Sequence, residues 1–282
     1  MTPVRKSGLA GLAALGPFFA VGSHAPGAVR PAPWQPGREL AAPSGALGAR
    51  IAAVRAALAA RGGRDVEEVE RRVAGSAVHL GLAARLIAPA LGAAVLRCPL
   101  DLRPGGLWWR DELGGAMPLS VPVPEGIASA RTASEEPAPV PIATSASFAP
   151  AGSGAEPSPG GLTSGGPALG DRDWARRLID ETIAPVTAAV AVLVPVSGRV
   201  LWGNVASAVN TAAAQVARQR PDLAPDAWRA AGLLLASPRL RGETGQPGPA
   251  FRRSSCCLFY RLEPGDPSAL CGDCVLGARR AR

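Results

Sequence analysis

The sequence predicts a mainly helical α+β protein: a helical scaffold with a small antiparallel β element and a C-terminal Cys-rich segment. Three observations predict it. Apolar residues recur at helical spacing through most of the chain, and one stretch rich in tryptophan and turn residues breaks that period. Four of the five cysteines fall in the last 27 residues.

Taken in order, the chain opens with Arg5 and Lys6 before an apolar stretch from Gly8 to Val21, followed by Ser23-His24-Ala25. A secretory signal has this form, but Gly16-Pro17 and Phe18-Phe19 interrupt its apolar part, which favours a segment of the folded domain. Leu47, Ile51, Val54 and Leu58 then mark a helix that Gly62-Gly63 stops. A further helix is expected to start at Asp65, with Glu68 as capping-box partner, and to feed the apolar region His79 to Leu96, which belongs to the longer apolar run Val73 to Leu96. That run is long enough for a membrane span. It carries His79 and Arg85 near its middle, where lipid would make a charge costly, so it reads as a core helix broken at Pro89. No transmembrane segment is therefore expected, while peripheral association with a membrane surface stays open.

Val95 to Leu119 reads as short strands in a hairpin containing the Arg103-Pro104-Gly105-Gly106 turn, with at most one of Trp108 and Trp109 fully buried. Residues 1–130 thus form an N-terminal part, and 131–170 read as a disordered Pro/Ser/Gly-rich linker that cannot bury enough surface to offset its ordering entropy. Residues 171–250 are a helical C-terminal part. In it, Trp174, Leu178, Ile179 and Ile183 mark a helix that Pro185 ends or kinks. A second helix is expected from about Asn204 to Arg218, with Asn204 as N-cap, and a third from Pro225-Asp226 to Ser237-Pro238.

Residues 251–282 carry Cys256, Cys257, Cys271 and Cys274. Four thiolates this close in sequence can enclose one metal centre without other ligands. Zinc prefers two Cys-x2-Cys knuckles, and only Cys271 to Cys274 has that form. An iron–sulfur cluster needs four thiolates on loops whose N–H groups face sulfur, which Gly265 and Gly272 favour. Spacing alone leaves these two open, with a disulfide framework behind them in a chain able to build its own core. Adjacent cysteines can act together only if the backbone turns there.

Other chemistries find little support. The net charge of +8 comes from arginines spread along amphipathic segments, with no long basic run, so nucleic acid is not an expected partner. His24 and His79 are the only histidines, and no Gly-x-Gly-x-x-Gly in strand-to-helix context or P-loop occurs, which argues against hydrolysis and against nicotinamide or flavin binding.

The run Arg252-Arg253-Ser254-Ser255-Cys256-Cys257-Leu258-Phe259-Tyr260-Arg261, followed by Cys271-Gly272-Asp273-Cys274, resembles the C-terminal signature of the FhuF-type ferric-siderophore reductases. Val200-Leu201-Trp202-Gly203-Asn204 is similar to another segment of that family, and Leu15-Gly16-Pro17-Phe18-Phe19 to its opening strand. The resemblance implies a [2Fe-2S] cluster held by the four cysteines, and one-electron reduction of a ferric siderophore that releases Fe(II) in the cytoplasm. It also implies a separate electron donor, such as a ferredoxin or flavin reductase. Arg252, Arg253, Arg261, Trp202, Asn204 and Asp273 become candidates for substrate, partner or tuning roles. The spacer between Cys257 and Cys271 holds 13 residues, longer than the family pattern, at little cost in loop entropy. Two other readings compete: a non-catalytic siderophore-binding or iron-handling protein whose four cysteines hold structural zinc, and an iron–sulfur redox sensor.

Overall fold

The longest apolar stretch of the sequence becomes the helix on which the rest is assembled. The computed structural model describes residues 4–98, 100–123, 171–242, 246–263, 265–266 and 270–280. The expected linker over 131–170 lies outside them. Eight α-helices and four strands are present among the described residues: α1 Val4–Ala14, β1 Gly22–His24, β2 Trp34–Pro36, α2 Gly45–Arg61, α3 Arg71–Val95, β3 Trp108–Arg110, β4 Leu119–Pro122, α4 Asp171–Arg177, α5 Ala184–Leu193, α6 Gly198–Gln219, α7 Ala224–Leu235 and α8 Val275–Arg280. The architecture is α+β and mainly helical, as the sequence predicts.

Helix α3 packs on α6 above all, and also on α2, α7, α1 and α5. Residues from both sides of 124–170 enter one core, in which Leu82, Leu86 and Leu91 of α3 join Val205, Val209 and Val216 of α6. By length and composition α3 could cross a membrane, but 78% of its most apolar window is buried inside the protein. Arg85 shows how a charge is accommodated there. Its guanidinium donates to the carbonyls of Met117 (2.6 Å), Phe18 (2.7 Å) and Ala20, tying α3 to two loops. Burial lowers its pKa to about 10, still high enough to keep it charged.

Several expectations are corrected. Asp65 and Glu68 do form a capping contact, the Asp65 N–H donating to the Glu68 carboxylate at 2.9 Å, but they close only a single 3-10 turn. Val69 is extended, and α3 starts afresh at Arg71. Pro89 does not break α3: packing along the helix outweighs the one backbone hydrogen bond that proline removes. Likewise Pro185 does not end its helix. A π-helical turn, Leu178–Ile183, leads into α5 and puts Pro185 in that helix's first turn, where a missing N–H costs least. Helix α6 begins a turn and a half before the expected start, because Ser197 caps it by accepting the Val200 N–H. Asn204 is therefore mid-helix and buried, not an N-cap.

The β element is larger than a hairpin. Strands run in the order β1-β4-β3-β2, with β1 parallel to β4 and the other pairs antiparallel, so the sheet is mixed. Its two extra strands are three residues each, too short to show an alternating pattern. The Arg103–Gly106 turn precedes β3 rather than joining it to β4. Trp109 faces inward and is fully buried while Trp108 is half-buried, as alternation requires. The segment Leu15–Phe19 is a turn after α1, not a strand: Gly16, at φ +127°, reverses the chain, and Leu15 and Phe19 enter the core.

Candidate metal centre

The C-terminal segment is anchored before it reaches the cysteines. Phe251 is buried, and the Gly248 N–H donates to Asn210 Oδ1 of α6 at 2.8 Å. Beyond this anchor the Arg253 N–H donates to the Asp273 carbonyl at 3.1 Å, which pairs the strand leading into Cys256-Cys257 with the Cys271–Cys274 turn. That turn is closed by the Cys274 N–H on the Cys271 carbonyl at 3.0 Å. After the adjacent cysteines, Leu258 adopts a left-handed conformation at φ 72°. Here is the backbone reversal that lets neighbouring side chains share one site.

The four sulfurs form a ring. Cys257 Sγ lies 3.5 Å from Cys271 Sγ, and hydrogen bonds also link Cys256 with Cys257, Cys256 with Cys274, and Cys271 with Cys274. No disulfide is present, and among the described residues no three His, Cys, Asp or Glu side chains surround a single ion position. Within the ring the thiols share protons unequally. Hydrogen bonds from Cys256 and Cys271 lower the Cys257 pKa, helped by the Phe259 N–H and the Arg253 charge and opposed by burial. The same two donors lower Cys274, helped by the N–H groups of Leu276 and Gly277. Cys256 and Cys271 are raised in turn, first by their hydrogen bonds to those partners and then by burial. Backbone N–H groups point at sulfur on both halves, from Leu258 to Cys256 (3.3 Å) and from Leu276 to Cys274 (3.4 Å).

Beneath the ring lies a polar layer inside the helical core. Ser76 of α3 donates to the Cys257 carbonyl at 2.8 Å. Arg253, only 1% exposed, donates from Nε to the Ser255 carbonyl (2.7 Å) and from one terminal nitrogen to Asn204 Oδ1 (2.6 Å) and the Val200 carbonyl (3.3 Å). Ser255 donates to the Arg199 carbonyl at 2.8 Å. Gly203 makes the approach of this segment to α6 feasible, since a Cβ there would stand 2.1 Å from Ser255 Oγ and 3.0 Å from the Arg253 guanidinium. His79, one turn beyond Ser76, bonds through Nε2 to Thr187 Oγ1 at 3.0 Å. Because that hydroxyl donates to the Ile183 carbonyl, it accepts from the His79 imidazole Nε2, which carries the proton. Burial, then the Arg253 charge, lowers its pKa to about 3.

The structure thus gathers Cys256, Cys257, Cys271, Cys274, Arg253, Asn204 and Asp273, and leaves other candidates outside. Arg252 is exposed and donates to the Phe251 carbonyl. Arg261 pairs with Glu70 at 2.5 Å, ahead of α3. Trp202 is half-buried against the core, with the Arg239 guanidinium 5.7 Å from its ring centroid. Asp273 contributes its carbonyl, and its charge helps raise Cys271. Ser76, His79, Gly203 and Ser255 are site residues that sequence reasoning did not single out. A serine and a histidine one helical turn apart in the otherwise apolar Val73–Leu96 run were the available signal.

Four thiols, N–H groups at sulfur and a buried cation are the donor chemistry that suits an anionic iron–sulfur centre. The comparisons agree. Residues 253–276 match the family model described as FhuF 2Fe-2S C-terminal domain. No curated protein and no solved structure matches the chain. The family description indicates a [2Fe-2S] cluster as the cofactor, and Cys256, Cys257, Cys271 and Cys274 are the thiols that would hold it. The C-terminal segment of this chain is thus similar to the FhuF 2Fe-2S C-terminal domain, and it is docked on a helical scaffold through α3 and α6.

Proposed function

We propose that this protein reduces a ferric siderophore by one electron and so releases Fe(II), working in the cytoplasm or at the inner face of the membrane. The observation that carries the reading is the ring of four thiols in a segment matched by the FhuF 2Fe-2S family. A [2Fe-2S] cluster supplies single electrons when bound. The chain's own residues hold the sulfurs in place, keep the Cys257 side buried against α3 and leave Cys256 and Cys271 partly exposed. That asymmetry gives the site one accessible face.

Electron transfer needs proximity and a matched potential rather than covalent contact, so the substrate chelate has only to reach that face. Fe(III) in the chelate takes up the electron. The Fe(II) formed is held far less tightly by hard oxygen donors and leaves, with the chelate intact. Exposed Arg252, four residues before Cys256 in the chain, favours an anionic chelate or an acidic donor such as a ferredoxin, through its field rather than through a fixed contact. A flavin reductase is the other class of donor that delivers single electrons.

The test is a single-turnover experiment without oxygen. Reduced protein is mixed with ferric siderophores of hydroxamate and catecholate type, following reoxidation of the cluster absorbance and trapping Fe(II) with a colorimetric chelator. One Fe(II) per electron is expected, and none from Cys274→Ser. Failure of every ferric chelate to reoxidise the reduced protein, or equal Fe(II) from Cys274→Ser, would overturn the proposal.

A further inference from the structure

One side-chain amide touches both supports of the adjacent cysteines. Asn204 Nδ2 donates to the Ser76 carbonyl and to Ser76 Oγ, both at 3.1 Å, and Ser76 Oγ in turn donates to the Cys257 carbonyl. Asn204 Oδ1 accepts from Arg253, whose Nε holds the Ser255 carbonyl. The amide can point only this way, because a guanidinium has no acceptor and must face the oxygen. The two carbonyls flanking Cys256 are thereby fixed from opposite sides by a residue that is itself fully buried in α6.

We propose that Asn204 is the positioning residue of the cluster site: through Ser76 it sets the Cys256-Cys257 turn, and through Arg253 it sets the buried positive charge next to the sulfurs. The acceptors of that guanidinium are neutral, namely two carbonyls and one amide oxygen. Its charge therefore remains available to the anionic centre, where it favours the reduced state and raises the reduction potential. A carboxylate in place of the amide would neutralise it locally and remove the donor to Ser76. The inference rests on the cluster and not on the identity of the electron acceptor, so its measurements use no siderophore.

The experiment compares full-length holoprotein with Asn204→Asp, Ser76→Ala and a packing control, Val209→Ala, which lies in the α6 core away from these contacts. Midpoint potential by optical titration, the EPR spectrum of the reduced state, the rate of iron loss to an excess of chelator and the melting temperature are read for each. Asn204→Asp should lower the potential and alter the EPR g-values. Ser76→Ala should speed iron loss by about tenfold, as expected for a lost buried hydrogen bond. Val209→Ala should lower the melting temperature only. Potential, EPR and iron loss that move no more than in Val209→Ala would reduce Asn204 to packing and overturn the proposal. If Asn204→Asp fails to fold, Ser76→Ala decides on the same criterion.

Discussion

Gly203→Ala should destabilise this protein, although glycine to alanine inside a helix ordinarily stabilises by about 1 kcal/mol. The new methyl would stand 2.1 Å from Ser255 Oγ and 3.0 Å from the Arg253 guanidinium. Neither can give way freely. Ser255 Oγ is engaged with the Arg199 carbonyl, and the guanidinium with Asn204 and Val200. Overpacking of this kind costs about 1–3 kcal/mol and a displaced buried hydrogen bond about 1–3 kcal/mol, so the helix-propensity gain is outweighed by roughly 1–5 kcal/mol. For a chain of this size each kcal/mol lowers the melting temperature by about 2–4 °C. The assay is thermal unfolding with iron and sulfide analysis, alongside Gly232→Ala in α7, where an added Cβ meets nothing within 4 Å. Gly232→Ala should gain stability and keep full iron; Gly203→Ala should lose both, and Ser255→Gly in the same chain should restore part of the loss by removing the clashing hydroxyl. A Gly203→Ala protein as stable and as iron-loaded as Gly232→Ala would refute the close packing of the cysteine segment on α6.

Three other expectations follow from single contacts. His79 has a folded pKa of about 3 against an ordinary 6.5, so the unfolded chain binds the proton first as pH falls, and stability drops between about pH 6.5 and 3 by up to 1.4 kcal/mol per unit. His79→Gln should flatten the melting temperature between pH 7 and 5.5 relative to the parent; an unchanged slope would show that His79 does not titrate as described. Arg85→Met should cost on the order of 3 kcal/mol or more, since three carbonyls lose their buried donor, and chemical denaturation should show it. Arg253→Gln should lower iron content together with melting temperature, whereas exposed Arg252→Gln should leave both within error, as metal analysis and calorimetry on the pair would show.

Helical spacing was enough to place α2 and α7, because their apolar stripes and their Gly or Pro stops are local signals. It was not enough for α6. There the stripe continued back past Trp202, and Ser197, seven residues before the expected cap, supplied the actual one. Both proline errors have one cause: at Pro89 and Pro185 the rule weighs a lost hydrogen bond, whereas burial and a π turn decide the outcome. Strands β1 and β2 were illegible because their partners are distant: His24 pairs with Pro122, and Trp34 with Arg110.

The chemistry of the site was local and therefore readable. Four thiols confined to 19 residues, Cys256 to Cys274, point to a soft-metal centre before any folding is considered. What the sequence determined alone is the clustering of four candidate ligand thiols and the mainly helical class. Only the tertiary structure decided what surrounds the sulfurs. Ser76 lies 181 residues from the carbonyl it holds and Asn204 lies 49 residues from Arg253, separations over which sequence pattern carries no signal. A buried polar group is recognised by the partner that satisfies it, and that partner is supplied by packing: α3 against α6 joins Ser76, which the sequence did not mark, to Asn204 and Arg253, which it did, in one support beneath the four thiols.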